Sequence, residues 1–295
     1  MDDDQPPTRR LRRRDVLQVG LAAVAGGIAT GGAAWAAPDD RSLPHGAEGL
    51  NAADMADVPH RLGGTRVIWS VPTSLPLVAV TFDDGPDPRF TPRVLDALEA
   101  AGVTVTFNVM GHNAVTHAQL LRRAVASGHE IGNHTWTHDD LALADPATVE
   151  AQLLRGRDAI TSITSAPVTI FRPPRGELPG SALQTAARLH YDVVMWSLTR
   201  GAAGIGSPEA VAAHVVGKAR PGDILGLHDG LGHATFSPRG AEARLLAARR
   251  DVEIAALPVM LAGLRARGLQ VVTVRELLTR ATPPAVPAQR SAPDS

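Results

Sequence analysis

From Leu77 to Arg280, short apolar runs alternate with segments of helical period. Val78, Val80 and Phe82 alternate as in a buried strand, and the chain then turns at Gly85-Pro86. The same reading predicts strands at 77–82, 104–109, around 130–132, and at 168–171, 192–197, 223–227 and 269–274. Helix starts are marked by a capping residue followed by proline: Thr91-Pro92, Asp145-Pro146 and Ser207-Pro208. Val149, Leu153 and Ile160 then share one helical face, and Gly102 and Gly268 stand where helices should stop.

Strands that alternate with helices require a parallel sheet. Polar residues capable of chemistry follow at least five of the strands. A barrel gathers all those ends around one mouth, whereas an open sheet spreads them along a crevice. The pattern therefore predicts an α/β barrel.

Outside this region the pattern changes. Residues 1–37 read as an export signal: Arg12-Arg13-Arg14-Asp15-Val16-Leu17 resembles a twin-arginine motif, and an Ala/Gly/Val-rich run ends at a small-x-small site, Ala34-Trp35-Ala36. Five glycines make that run weakly apolar, which suits such a signal better than a spanning helix. The alternative is an uncleaved membrane anchor. Residues 38–65 read as a linker, 66–280 as the catalytic barrel, and the proline-rich 281–295 as a disordered tail.

Composition narrows the chemistry. A formal net charge of −1 argues against nucleic acid or an anionic membrane surface as partner. There is no cysteine, so any metal must be held by His and carboxylate. The strand at 77–82 ends in two adjacent carboxylates, Asp83 and Asp84. Further strand ends carry His134-Thr135-Trp136-Thr137-His138, Arg172-Pro173-Pro174-Arg175-Gly176 and Leu227-His228-Asp229. With 11 histidines in 295 residues, chance gives roughly 0.4 pairs spaced like His134 and His138, so spacing alone decides little. Their position at successive strand ends points to a metal-dependent hydrolase.

Thr81-Phe82-Asp83-Asp84-Gly85-Pro86, the run from Gly128 to His138, and Gly222-Asp223-Ile224-Leu225-Gly226-Leu227-His228-Asp229 together resemble the polysaccharide deacetylase family. These are the carbohydrate esterases of family four, with chitooligosaccharide-deacetylase homology. The resemblance runs from about Val67 to Arg280 and implies a distorted (β/α) barrel of about seven parallel strands. It implies that Asp84, His134 and His138 bind a divalent ion, with Zn²⁺ the first expectation and Co²⁺ or Ni²⁺ open for a His₂Asp donor set. One helical turn would aim His134 and His138 at one ion.

By the same resemblance Asp83 is the general base that takes a proton from the attacking water, and Arg172 pairs with it. The backbone N–H of Arg175 faces the developing oxyanion, and His228 is the acid that protonates the departing amine. Trp196 and Leu227 form the pocket for the acetyl methyl group. One departure stands out. The family usually carries an aspartate shortly after the Trp196 strand, paired with the acid histidine. Here the stretch 197–204 has no carboxylate, and a gapless count places the gap near Ala202. Glu209, Asp251 or Glu253 could supply the charge from another segment.

The expected function is exported deacetylation of an N-acetyl (or O-acetyl) group on a cell-wall or chitin-type glycan. The alternatives are an amidohydrolase of the same fold acting on a small non-sugar amide, and an inactive carbohydrate-binding homologue. An aromatic content of 3% predicts a short binding groove, because few rings can stack on sugars.

Overall fold

The computed structural model describes residues 65–201 and 204–281; the expected export signal, nearly all of the linker, residue Ala202 and the tail beyond Ala281 lie outside the described residues. The strands are β1 (Val67–Ile68), β2 (Leu77–Asp83), β3 (Thr106–Val109), β4 (Glu130–Asn133), β5 (Ile170–Phe171), β6 (Asp192–Val194), β7 (Leu198–Thr199), β8 (Ile224–His228) and β9 (Gln270–Val272). The helices are α1 (Thr91–Ala101), α2 (Gly111–Thr116), α3 (Ala118–Ala126), α4 (Pro146–Thr164), α5 (Gly180–Arg188), α6 (Pro208–Lys218), α7 (Ala241–Ala266) and α8 (Val274–Ala281).

The strand order is β1-β6-β5-β4-β3-β2-β8-β7, and β9 pairs with the first half of β2. Every ladder is parallel. An isolated antiparallel bridge from Ser70 to Asp223 draws the β1 end toward β8. The result is a curled, distorted barrel wrapped by helices. All seven expected strands are present. The two further strands, β1 and β7, have two residues each, too few to produce a periodic signal.

Side-chain alternation along the strands builds two cores. On β2, Val78, Val80 and Phe82 face the helices in the larger core. Leu77 and Ala79 face inward with Ile68, Ile170, Val194, Ile224 and Val272, over a plug of Val274 and Leu277 from α8. Continued along β2, the inward face reads Leu77, Ala79, Thr81, Asp83. The barrel interior is thus apolar at the plugged end and charged at the other. The same count carries Ile224 to His228 on β8 and Ile170 to Arg172 past β5.

Two of the expected helix caps hold. Asp145 accepts from Thr148 N–H at 2.9 Å and Ser207 from Ala210 N–H at 3.2 Å. Thr91 does not cap: it is the first residue of α1, and the cap position is Phe90. Its hydroxyl instead accepts from Asp87 N–H and donates to the Asp229 carboxyl at 2.5 Å. A contact from the β8 loop has displaced the local role. Gly102 does end α1 in the left-handed conformation, at φ 65°.

Candidate active site

A cavity of about 250 Å³ opens at the charged end of the barrel, lined by Asp83, Asp84, His134, His138, Arg175, Trp196, His228 and Arg250 among others. A larger groove of about 720 Å³ between α1, α7 and β9 holds one charged side chain, Arg265, and no histidine or carboxylate, so the chemistry lies in the smaller one.

Asp83 and Asp84 diverge because the chain turns between them. Asp83 ends β2 in register with His228 on β8 and Asn108 on β3. Asp84 has φ 79°, which swings its carboxylate out of the strand. Asp83 Oδ1 accepts from Arg172 Nη1 at 2.8 Å and Asn108 Nδ2 at 2.7 Å. Burial pushes the Asp83 carboxyl up, but Arg172, His134 and His228 outweigh it and hold the group below the usual carboxylate range.

Arg172 is fully buried, and four of its five N–H groups donate. Nε donates to Val194 O, Nη2 to Met195 O, and Nη1 to both Thr81 Oγ1 and Asp83 Oδ1. Burial pulls the guanidinium below its ordinary value, and Asp83 offsets only part of that. A lysine could not reproduce this fork.

Asp84, His134 and His138 bring one ligand atom each to within 4.8 Å of one another, and all three are buried. Asp84 Oδ1 lies 3.5 Å from His134 Nε2 and 3.3 Å from His138 Nε2, and it has no hydrogen-bond partner. A buried carboxylate oxygen left without a donor between two ring nitrogens is what an ion would satisfy. His134 Nδ1 lies 2.8 Å from Arg172 O, which fixes the proton there and frees Nε2 to ligate. Burial pushes His138 down to about 4, so its ring is neutral, the ligating form. Burial also opposes charge on Asp84, yet His134, His138, His228 and Arg250 hold its carboxyl well below the usual range.

The expected helical turn between the two histidines is absent. Residues 134–138 form a bend, with φ 68° at Thr135 and 59° at His138. The side chains converge through these left-handed residues instead. Asn133 Oδ1 accepts from Thr135 N–H, and Gln152 Oε1 accepts from Trp136 and Thr137 N–H, pinning the bend to α4. Of the six described non-glycine residues with positive φ, four are Asp84, Thr135, His138 and Arg175. Such strain, about 1–3 kcal/mol per residue, persists where the surroundings enforce it.

Arg175 lies in a single 3₁₀ turn with φ 58°, and its side chain is exposed and paired with Asp140 at 2.8 Å. Trp196 lines the cavity, with Arg172 over its ring at 5.6 Å. Leu227 does not line it. One residue before the inward-facing His228, Leu227 must point outward, and it is buried in the helix-facing core. The methyl-pocket expectation for Leu227 is corrected on that ground.

The expected gap beside His228 is filled from α7. Glu253 Oε2 lies 3.5 Å from His228 Nδ1 and accepts from His228 N–H at 3.1 Å. The other two candidate carboxylates are elsewhere: Asp251 pairs with Arg89 and Arg93 on the surface, and Glu209 is exposed in the first turn of α6. Arg250 was not foreseen. It donates to Asp84 Oδ2 at 3.2 Å and Gly230 O at 2.8 Å. The signal was present: Arg250 and Glu253 fall on the stripe of Ala247, Ile254 and Leu257, where α7 is otherwise apolar and buried. Asn108 and Asn113 also went unforeseen; Asn113 Nδ2 donates to Asp84 O at 2.9 Å.

Residues 70–194 match the polysaccharide deacetylase family model. A peptidoglycan-N-acetylglucosamine deacetylase of Bacillus cereus is 35% identical over 214 residues, covering 72% of this chain and 92% of that protein. This chain belongs to the polysaccharide deacetylase family. A chitooligosaccharide deacetylase of Sinorhizobium fredii is 39% identical over 197 residues, covering 66% of this chain and 89% of the relative. The fold agrees with a crystal structure of a peptidoglycan N-acetylglucosamine deacetylase at a TM-score of 0.62 and 28% identity, over 71% of this chain and 91% of that one.

Proposed function

We propose that this polysaccharide deacetylase is exported and hydrolyses N-acetyl groups of a cell-wall or chitin-type glycan. The observation that carries the reading is the pairing of two differently held carboxylates, Asp83 on Arg172 and Asp84 between two histidines, in one cavity with His228. The deacetylase relatives support the substrate class.

Asp84, His134 and His138 would hold a divalent ion, zinc first among the candidates. When bound, it would supply Lewis-acid polarisation of the carbonyl and acidify a water. The chain's own residues do the rest. Asp83, ionised by Arg172, takes a proton from the attacking water. The Arg175 N–H faces the carbonyl oxygen as negative charge develops there. Trp196 bounds the space for the acetyl methyl. As the C–N bond breaks, its electron pair stays on nitrogen, and protonated His228 gives that nitrogen a proton. Water and amide thus become acetate and free amine.

The test is acetate release from peptidoglycan, N-acetylchitooligosaccharides and acetylxylan. Release from either of the first two is expected. Release from acetylxylan alone would assign O-deacetylation instead.

A further inference from the structure

We infer that Glu253 is the positioning residue of His228, an acid-orienting carboxylate relocated from the loop after β7 to helix α7. The inference rests on the deacetylase reading above and deepens it.

The two carboxylate oxygens divide their work. Oε1 faces Arg200 Nε at 3.1 Å and Arg250 Nη1 at 3.4 Å. Oε2 faces His228, accepting its backbone N–H at 3.1 Å and standing 3.5 Å from Nδ1. The first oxygen anchors the group, and the second restrains the imidazole at two points. A distance of 3.5 Å is an ion-pair contact rather than a formed hydrogen bond, and such contacts tighten when a catalytic group takes up its proton. A carboxylate beside Nδ1 holds a proton on that nitrogen and leaves Nε2 as the one that exchanges with substrate.

Glu253 is buried, and burial favours its neutral form. His228, Arg250 and Arg200 reverse that and hold it ionised. The loop after β7 offers no competitor. Gly201 has φ 70°, and the His214 ring lies 2.2 Å from where its Cβ would be, so a side chain there has no room. Arg250 also reaches Asp84, so one helix face braces both the acid and a candidate metal ligand.

The test compares two acetyl substrates that differ in their leaving groups. An amine must be protonated to depart, whereas the nitrophenolate of 4-nitrophenyl acetate leaves without an acid. Full-length enzyme carrying Glu253→Gln keeps the shape and loses the charge; Glu253→Asp keeps the charge. For an N-acetylchitooligosaccharide, Glu253→Gln is expected to lower kcat by about 10–100-fold. KM, metal content and 4-nitrophenyl acetate turnover should stay within about threefold of the native values. Glu253→Asp should recover part of the lost amide rate. Equal losses on both substrates, or unchanged amide turnover in Glu253→Gln, would overturn the role. Failure of the native enzyme to release acetate from the glycan, with ester turnover intact, would instead sink the deacetylase reading and this role with it.

Discussion

Asp83 and Asp84 are neighbours in sequence with different surroundings, so their conservative variants should separate. Asp83→Asn should retain the metal and lose on the order of 10²–10⁴-fold in rate, the usual contribution of a general base. Asp84→Asn, His134→Ala and His138→Ala should lose the metal itself, read by elemental analysis of purified protein. The reverse pattern would exchange the roles of the two aspartates. Gly232 offers a finer probe. At φ 56°, it would place a Cβ 3.2 Å from both Asp84 Oδ1 and the His138 ring, on the spot where ligand atoms meet. Gly232→Ala adds left-handed backbone strain of about 1–2 kcal/mol and is expected to weaken divalent-ion affinity in the folded protein, measured by competition with a chromogenic chelator. Unchanged affinity would mean that the 232–236 turn yields freely.

At the scale of elements, the βα order, seven strands and two of three caps were legible in the chain because periodicity and capping are local. Thr91 and the His134–His138 bend were not, and the carboxylate beside His228 was narrowed to Glu209, Asp251 or Glu253 without a choice among them. Each is decided by a contact more than a dozen residues away: Asp229, Gln152 and Glu253 respectively. His129, just before β4, shows how an element's environment becomes measurable. Its Nδ1 accepts Val105 N–H at 3.2 Å, its ring packs on Phe107, and burial, with help from Arg123, pushes it down to about 4. The unfolded chain, with an ordinary value near ~6.5, binds more protons than the folded one between these limits. Stability from this group is thus present above ~6.5 and is lost as pH falls toward 4. Urea unfolding at about pH 7 and about pH 4.5 should show a smaller acid-side loss in His129→Gln than in the native protein. An identical loss would place the titration elsewhere.

For the whole molecule, export and metal loading are linked proposals. A twin-arginine route carries folded proteins, so an ion could be bound before secretion. Changing Arg13 and Arg14 to Lys should hold the protein in the cytoplasm, read by fractionation and blotting; undiminished export would refute the route. Among the described residues no helix is long and apolar enough to cross a membrane. The barrel as a unit sets a gradient from its apolar plug at Val274 and Leu277 to the charged mouth at Asp83 and His228. The shared mouth of the parallel strand ends gathers Asp83, Asp84, His134, His138 and His228, the proposed base, metal ligands and acid, from distant parts of the sequence. The most direct test is acetate release from an N-acetylchitooligosaccharide by chelator-stripped enzyme before and after Zn²⁺ is restored, with His138→Ala alongside. Loss on stripping, recovery with the ion and no recovery in the variant are expected. Full activity in the stripped enzyme would contradict a metal-dependent site at Asp84, His134 and His138.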